Sequence, residues 1–207
     1  MRRTTVAVHY WSGLLLAVFI FAHLINHLAV LAGVPAHRAL MTALRTVYRQ
    51  PLVEAVLLLA VLGQVGTGLW QAGQLRRRPL PAAARVQLWT GLYLAFFLLV
   101  HTGAVLAGRG YFGLDTNVYY AAAGLNTWPF PLFFGPYYLL AVAAVFGHLA
   151  AVHVRKGAAV FGERAAHRQA WALGGLGVAL GLLILYGMTD GLRGLPIPPA
   201  YLRTLGR

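Results

Sequence analysis

The stretch FAHLINHLAV, residues 21–30, sets His23, Asn26 and His27 inside an otherwise apolar run. A histidine in hydrocarbon loses its water and must find a partner, so an ionisable residue in such a place marks a functional site by default. His101, in LLVHTG, and His148, in VFGHLAA, stand in the same kind of surroundings. Neutral imidazole is the commonest metal ligand. The chain has no cysteine, which excludes disulfides, a covalently attached c-type haem, a cysteine-held iron–sulfur cluster and a thiolate zinc site. Metal chemistry here rests on histidine.

The elements that carry these residues follow from composition. Of 207 residues, 59% are hydrophobic and 10% charged, a profile far from that of a soluble domain. Five apolar runs, near 10–33, 52–73, 86–107, 131–154 and 171–188, are long enough to cross about 30 Å of hydrocarbon at about 1.5 Å per residue. Period-two alternation is absent, which excludes a β-barrel. The expectation is an all-α integral membrane protein, one membrane domain over residues 1–207. Four helices form a bundle around the histidines, and the fifth packs at its edge through Gly177 and Gly181, spaced for close helix approach. The first run continues past the usual length of a signal-peptide core and has no cleavage pattern, so it stays in the membrane.

The connecting segments hold no soluble domain. Residues 34–50 suit a short interfacial helix, with Ala39, Leu40, Leu44 and Val47 toward the bilayer and Arg38, Arg45 and Arg49 toward water. Residues 108–130 carry Tyr111, Phe112, Tyr119, Tyr120 and Trp128, read as an aromatic belt or, more sharply, as a lid over a buried cofactor.

Arginine and lysine set the orientation. Ten fall on one side (Arg2, Arg3, Arg76, Arg77, Arg78, Arg85, Arg155, Lys156, Arg164, Arg168) and seven on the other (Arg38, Arg45, Arg49, Arg109, Arg193, Arg203, Arg207). The bias places the N terminus in the cytoplasm of a cell bounded by this inner membrane. The net charge of +13 is scattered over short loops with no nucleic-acid-binding motif, so membrane lipid headgroups are its partner and nucleic acid is not.

Depth then sorts the histidines. His23 lies 13 residues after Tyr10 and His101 lies 16 residues after Arg85, on two helices that both run outward. The rise puts both roughly 20 to 24 Å from the inner surface. Two neutral imidazoles at equal depth on separate helices are what a six-coordinate b-type haem requires. His27, one turn further out on the same face, is a backup ligand or a partner for a haem propionate; Asn26 is offset by about 100° and faces a neighbouring helix. His148, on an inward-running helix, falls in the inner half. Its counterpart by depth on the second helix is Gln64, a poor iron ligand beside imidazole, so the inner pair is incomplete.

At this point the chain resembles the five-helix, single-polypeptide cytochrome b membrane anchor of succinate dehydrogenases and fumarate reductases. The similarity is carried by HYWSGLLLAVFIFAHLINH, RVQLWTGLYLAFFLLVHTG and VAAVFGHLAAVHV, and extends to helix number and order. The resemblance implies haem b held by His23 and His101 far from the cytoplasm, and His148 as one ligand of a second, nearer haem whose other ligand is replaced by Gln64. It also implies a cytoplasmic flavoprotein subunit and an iron–sulfur subunit that exchange electrons with membrane quinone through this chain.

The remaining polar residues are assigned by chemistry. Glu54, beside Tyr48, Arg49 and Gln50, either relays protons to a quinone or pairs with Arg45 or Arg49. His9 and Ser12 keep loosely a pattern common in that family, or simply cap and snorkel at the headgroups. His37, His153 and His167, each close to basic residues, read as interfacial and solvated. Two functions stand: a haem b subunit passing electrons between cytoplasmic partners and quinone, and a stand-alone membrane protein on the same scaffold, with or without haem, that transfers none.

The orientation has a direct test. A cysteine introduced between Arg76 and Arg85 should react with a membrane-impermeant reagent only from the cytoplasm, and one between Tyr111 and Asn126 only from outside. Labelling in the opposite sense inverts the depth assignments.

Overall fold

The computed structural model describes residues 2–75 and 79–207. Arg76, Arg77 and Arg78, which contribute to the orientation count, lie outside the described residues. The helices are α1 (Arg2–Leu28), extended by a 3-10 turn (Ala29–Ala32), α2 (Val34–Tyr48), α3 (Pro51–Leu75), α4 (Ala82–Gly110), α5 (Val118–Asn126), α6 (Pro131–Phe161), α7 (Glu163–Met188) and α8 (Pro199–Leu202). No strand occurs among the described residues. Five helices, α1, α3, α4, α6 and α7, are long and apolar enough to cross a membrane, which makes this an all-α multi-pass membrane protein.

The spanning helices extend beyond their apolar runs by up to eight residues, because backbone groups near the hydrocarbon boundary are best satisfied within the helix itself. Breaks fall where the sequence forces them. Pro35 and Pro131 stand in the first turns of α2 and α6, where a missing N–H costs nothing. Gly162 alone separates α6 from α7, with φ +79°, a left-handed conformation suited to glycine.

The spans pack in a closed order, α1 on α3, α3 on α4, α4 on α6, α6 on α7, and α7 back to α1. α1 and α4 therefore face one another across the bundle rather than packing side by side. Side chains meeting in the middle come from these two helices, flanked by α3 and α6. Below, the near side is the side where α1 begins, and the far side is its opposite.

α6 and α7 make the most extensive contact, and the glycines expected to permit it do so. A Cβ at Gly177 would stand 2.4 Å from Cβ of Phe146, and one at Gly181 2.8 Å from Leu139.

The far side is capped. The aromatic segment folds into α5, whose Val118 and Ala122 are fully buried and pack with Val30, Leu125, Val142, Ile184 and Met188. Tyr111 and Trp128 remain 84% and 69% exposed, so those two, and not the segment as a whole, are free to face an interface. Asn117 caps α5, accepting from the Tyr119 amide at 2.9 Å and donating to Tyr201 Oη at 2.8 Å. Arg45 of α2 pairs with Asp115 at 2.7 Å. α2 forms as expected: its buried residues, His37 and Met41, turn toward the rest of the protein, and Val47, expected against the bilayer, is on the outer side, 62% exposed.

The α6–α7 contact yields a paired prediction. Gly177→Leu should lower the thermal midpoint in detergent, followed by circular dichroism, with an overpacking cost of about 1–3 kcal/mol. Gly174→Leu, where a Cβ meets nothing within 4 Å, should leave it within error.

Candidate functional site

Two polar layers interrupt the apolar bundle. The far layer is built on α1, whose helical spacing puts His23 and His27 one turn apart on one face. His101 of α4 faces them. The rings of His23 and His101 have centroids 6.0 Å apart and planes crossing at 71°. The depth match counted along the two helices is thus a direct juxtaposition. Phe19 stacks on His23 at 5.6 Å and Phe97 on His101 at 5.0 Å. Each phenylalanine precedes its histidine by four residues, so the two rings are braced from the near side.

Two imidazoles holding one metal between them, with bonds of about 2.0–2.1 Å and roughly 1.1 Å from nitrogen to ring centre, would have centres about 6.3 Å apart, close to the spacing of His23 and His101. Among the described residues no cluster of three or more His, Cys, Asp or Glu side chains would hold a bare metal ion. A porphyrin supplies four nitrogens itself and asks the protein for only two.

His23 has a second neighbour: its Nε2 lies 3.0 Å from Nε2 of His27. A neutral imidazole nitrogen has one in-plane lone pair or one proton, so this nitrogen serves either His27 or a metal. Asn26, 5% exposed, faces α2 and places Nδ2 at 3.3 Å from Nε2 of His37. The sequence reading of Asn26 as facing a neighbouring helix holds; that of His37 does not. His37 is 1% exposed and its ring lies 5.5 Å from that of His27. The adjacent Arg38 suggested solvent, but α2 rolls His37 inward and Arg38 outward.

Among the described residues, the layer leaves Asn26 Oδ1, His27 Nδ1 and His37 Nδ1 buried with no hydrogen-bond partner. Buried polar atoms without partners are few in native proteins, and three converging on one place call for an explanation.

The near layer joins His9 and Ser12 of α1 to Gln64 and Thr67 of α3, and His148 of α6 to Thr90 of α4. His9 Nδ1 lies 3.0 Å from Thr67 Oγ1, and His148 Nδ1 lies 3.3 Å from Thr90 Oγ1. Both threonine hydroxyls donate to carbonyls of their own helices, Gly63 and Val86. Each hydroxyl has one proton, so each imidazole must donate from Nδ1 and keep its lone pair on Nε2. Each ring also lies against the glycine after its threonine: a Cβ at Gly68 or at Gly91 would stand 3.3 Å from the ring's Cε1.

Gln64 belongs to α1's side of this layer. Its Nε2 lies 3.3 Å from His9 Nε2 and its Oε1 accepts from Ser12 at 2.8 Å. Gln64, matched by depth to His148, shares this layer with it and bonds to His9. The capping and snorkelling reading of His9 is corrected, since its ring is held between α1 and α3. The usable signal was the recurrence of a Thr-Gly pair, 67–68 and 90–91, at the near-side ends of α3 and α4.

Glu54 is bound by Arg109, which donates to both carboxylate oxygens. Its expected partners were Arg45 and Arg49; Arg45 is taken by Asp115. The pair ties the far end of α3 to that of α4. His153 is half-buried and bonded to Gln169, while His167 is exposed and bonded to the Glu163 carbonyl. No protein family, characterised protein or solved structure matches this chain.

Burial, followed by the nearby Arg45 charge, pushes His37 down from 6.5 to about 4. When α2 is undocked the ring takes a proton below its ordinary value, and when docked it does not. Docking is therefore complete above pH 6.5 and weakens as pH falls toward 4, by on the order of 3 kcal/mol across that window. Alkylation of a cysteine at Met41, a buried neighbour on the same face, should speed up over that range. His37→Leu should flatten the profile.

Proposed function

We propose that this chain is a b-type haem subunit of a cytoplasmic (inner) membrane, with its near side in the cytoplasm, and that it passes electrons between a flavoprotein and iron–sulfur partner and membrane quinone. The observation that carries the reading is the facing of His23 and His101 at 6.0 Å across the middle of the bundle. These two residues would hold the iron, and the bound haem supplies reversible one-electron chemistry. Phe19 and Phe97 orient the two rings, and the surrounding apolar helices exclude water.

The near layer lies about 21 Å along α1 from His23, at 14 residues of helix rise, on the side where the partners would dock. Glu54, paired with Arg109, locks α3 to α4 rather than moving protons. A second reading, a stand-alone protein on this scaffold without electron transfer, is favoured by one observation: His23 and His27 already satisfy each other.

The two readings separate spectroscopically. Protein purified with ample haem supply should contain one low-spin haem b per chain, with sharp α and β bands on reduction. His23→Ala or His101→Ala should remove at least nine-tenths of that signal, whereas His148→Ala should leave it intact. Wild-type protein that holds no haem would overturn the electron-transfer reading.

A further inference from the structure

The far layer contains more polar atoms than the two iron ligands require. His37 comes from α2, outside the spanning helices, yet it is the most deeply buried histidine of the group. Its Nε2 faces the amide nitrogen of Asn26, which can only donate, so the ring accepts there and carries its proton on Nδ1. Being held neutral near pH 7, it has no second proton to change this assignment. Nδ1–H is then a buried donor with no acceptor.

His27 reaches the same condition by another route. Its Nε2 is satisfied only by Nε2 of His23, and its Nδ1 has no partner. If His23 gives the lone pair of Nε2 to iron, the His27 ring loses its one bond at that moment. The two rings, 5.5 Å apart, would then both need a partner in the same place. Leaving a buried polar group unpaired is costly, and an acceptor that arrives together with the iron removes the cost.

We propose that His37, with His27 and assisted by Asn26, seats a carboxylate of the haem whose iron lies between His23 and His101. This rests on the haem reading above. A carboxylate offers two oxygens and about four lone-pair sites, enough to accept from both rings. The seat makes α2 part of the cofactor site, so that a helix outside the five spans reports on whether the centre is filled.

The test compares haem with its dimethyl ester, which keeps the iron and porphyrin but lacks the carboxylates. Apoprotein purified in detergent after growth without haem supply is titrated with each, followed by the Soret band. A hydrogen bond to a charged group corresponds to a preference for the free acid of roughly tenfold or more. In His37→Leu that preference should collapse, with haem binding falling to the level of the ester and the ester affinity unchanged. Unchanged ester binding also shows that the variant is folded. His37→Gln, which keeps an N–H donor, should retain part of the preference, and it decides the matter if the leucine variant does not fold. Equal affinity of wild type for the two compounds, or a His37→Leu loss that is the same for both, overturns the seat while leaving the iron ligands standing. A wild type that gives no low-spin spectrum with either compound overturns the seat and the haem reading together.

Discussion

A neutral imidazole carries one donor and one acceptor, and in hydrocarbon neither can be left to water. Much of the polar architecture follows from that. In the near layer the problem is solved by helix-bound threonine hydroxyls, whose own protons go to carbonyls of the preceding turn and whose lone pairs receive the ring N–H. In the far layer it is solved only in part: His23 and His27 meet, Asn26 and His37 meet, and three atoms stay unpaired. A layer that completes its own bonding is structure, while one that leaves donors and acceptors over is built for something that brings its own. This contrast is why the far layer carries the functional proposal.

The packing order of the helices makes such a layer affordable. Because α1 and α4 look at each other across the bundle, residues on their inner faces meet in the middle without forcing two backbones together. The close approaches are elsewhere, chiefly at the α6–α7 contact, where glycines take the place of side chains. Tight packing along one edge and side-chain contact across the middle are compatible because different helices are responsible for each.

Much of this was legible in the sequence. The five spans follow from hydropathy and length, and the juxtaposition of His23 and His101 follows from counting residues along two helices of known rise. Gly177 and Gly181 were readable as a packing motif. What could not be read is which neighbour a polar side chain turns toward. Glu54 had arginines close in sequence and found Arg109, 55 positions away. Gln64 was matched by depth to His148 and bonded to His9. His37 looked solvated because its chain neighbour is an arginine, but a one-residue step around a helix is about 100° and separates buried from exposed. Depth is a property of one helix and can be counted. Azimuth depends on every helix at once.

The one-residue connection between α6 and α7 bears on how the two spans come together. With only Gly162 between Phe161 and Glu163, the chain reverses on a single residue, and the two spans can form a helical hairpin whose contact needs no other part of the chain. The glycines of the second span divide accordingly: Gly177 and Gly181 lie against α6 and Gly187 against Val30, while Gly174 and Gly175 meet nothing within 4 Å, so the hairpin contact draws on only part of the glycine content of α7.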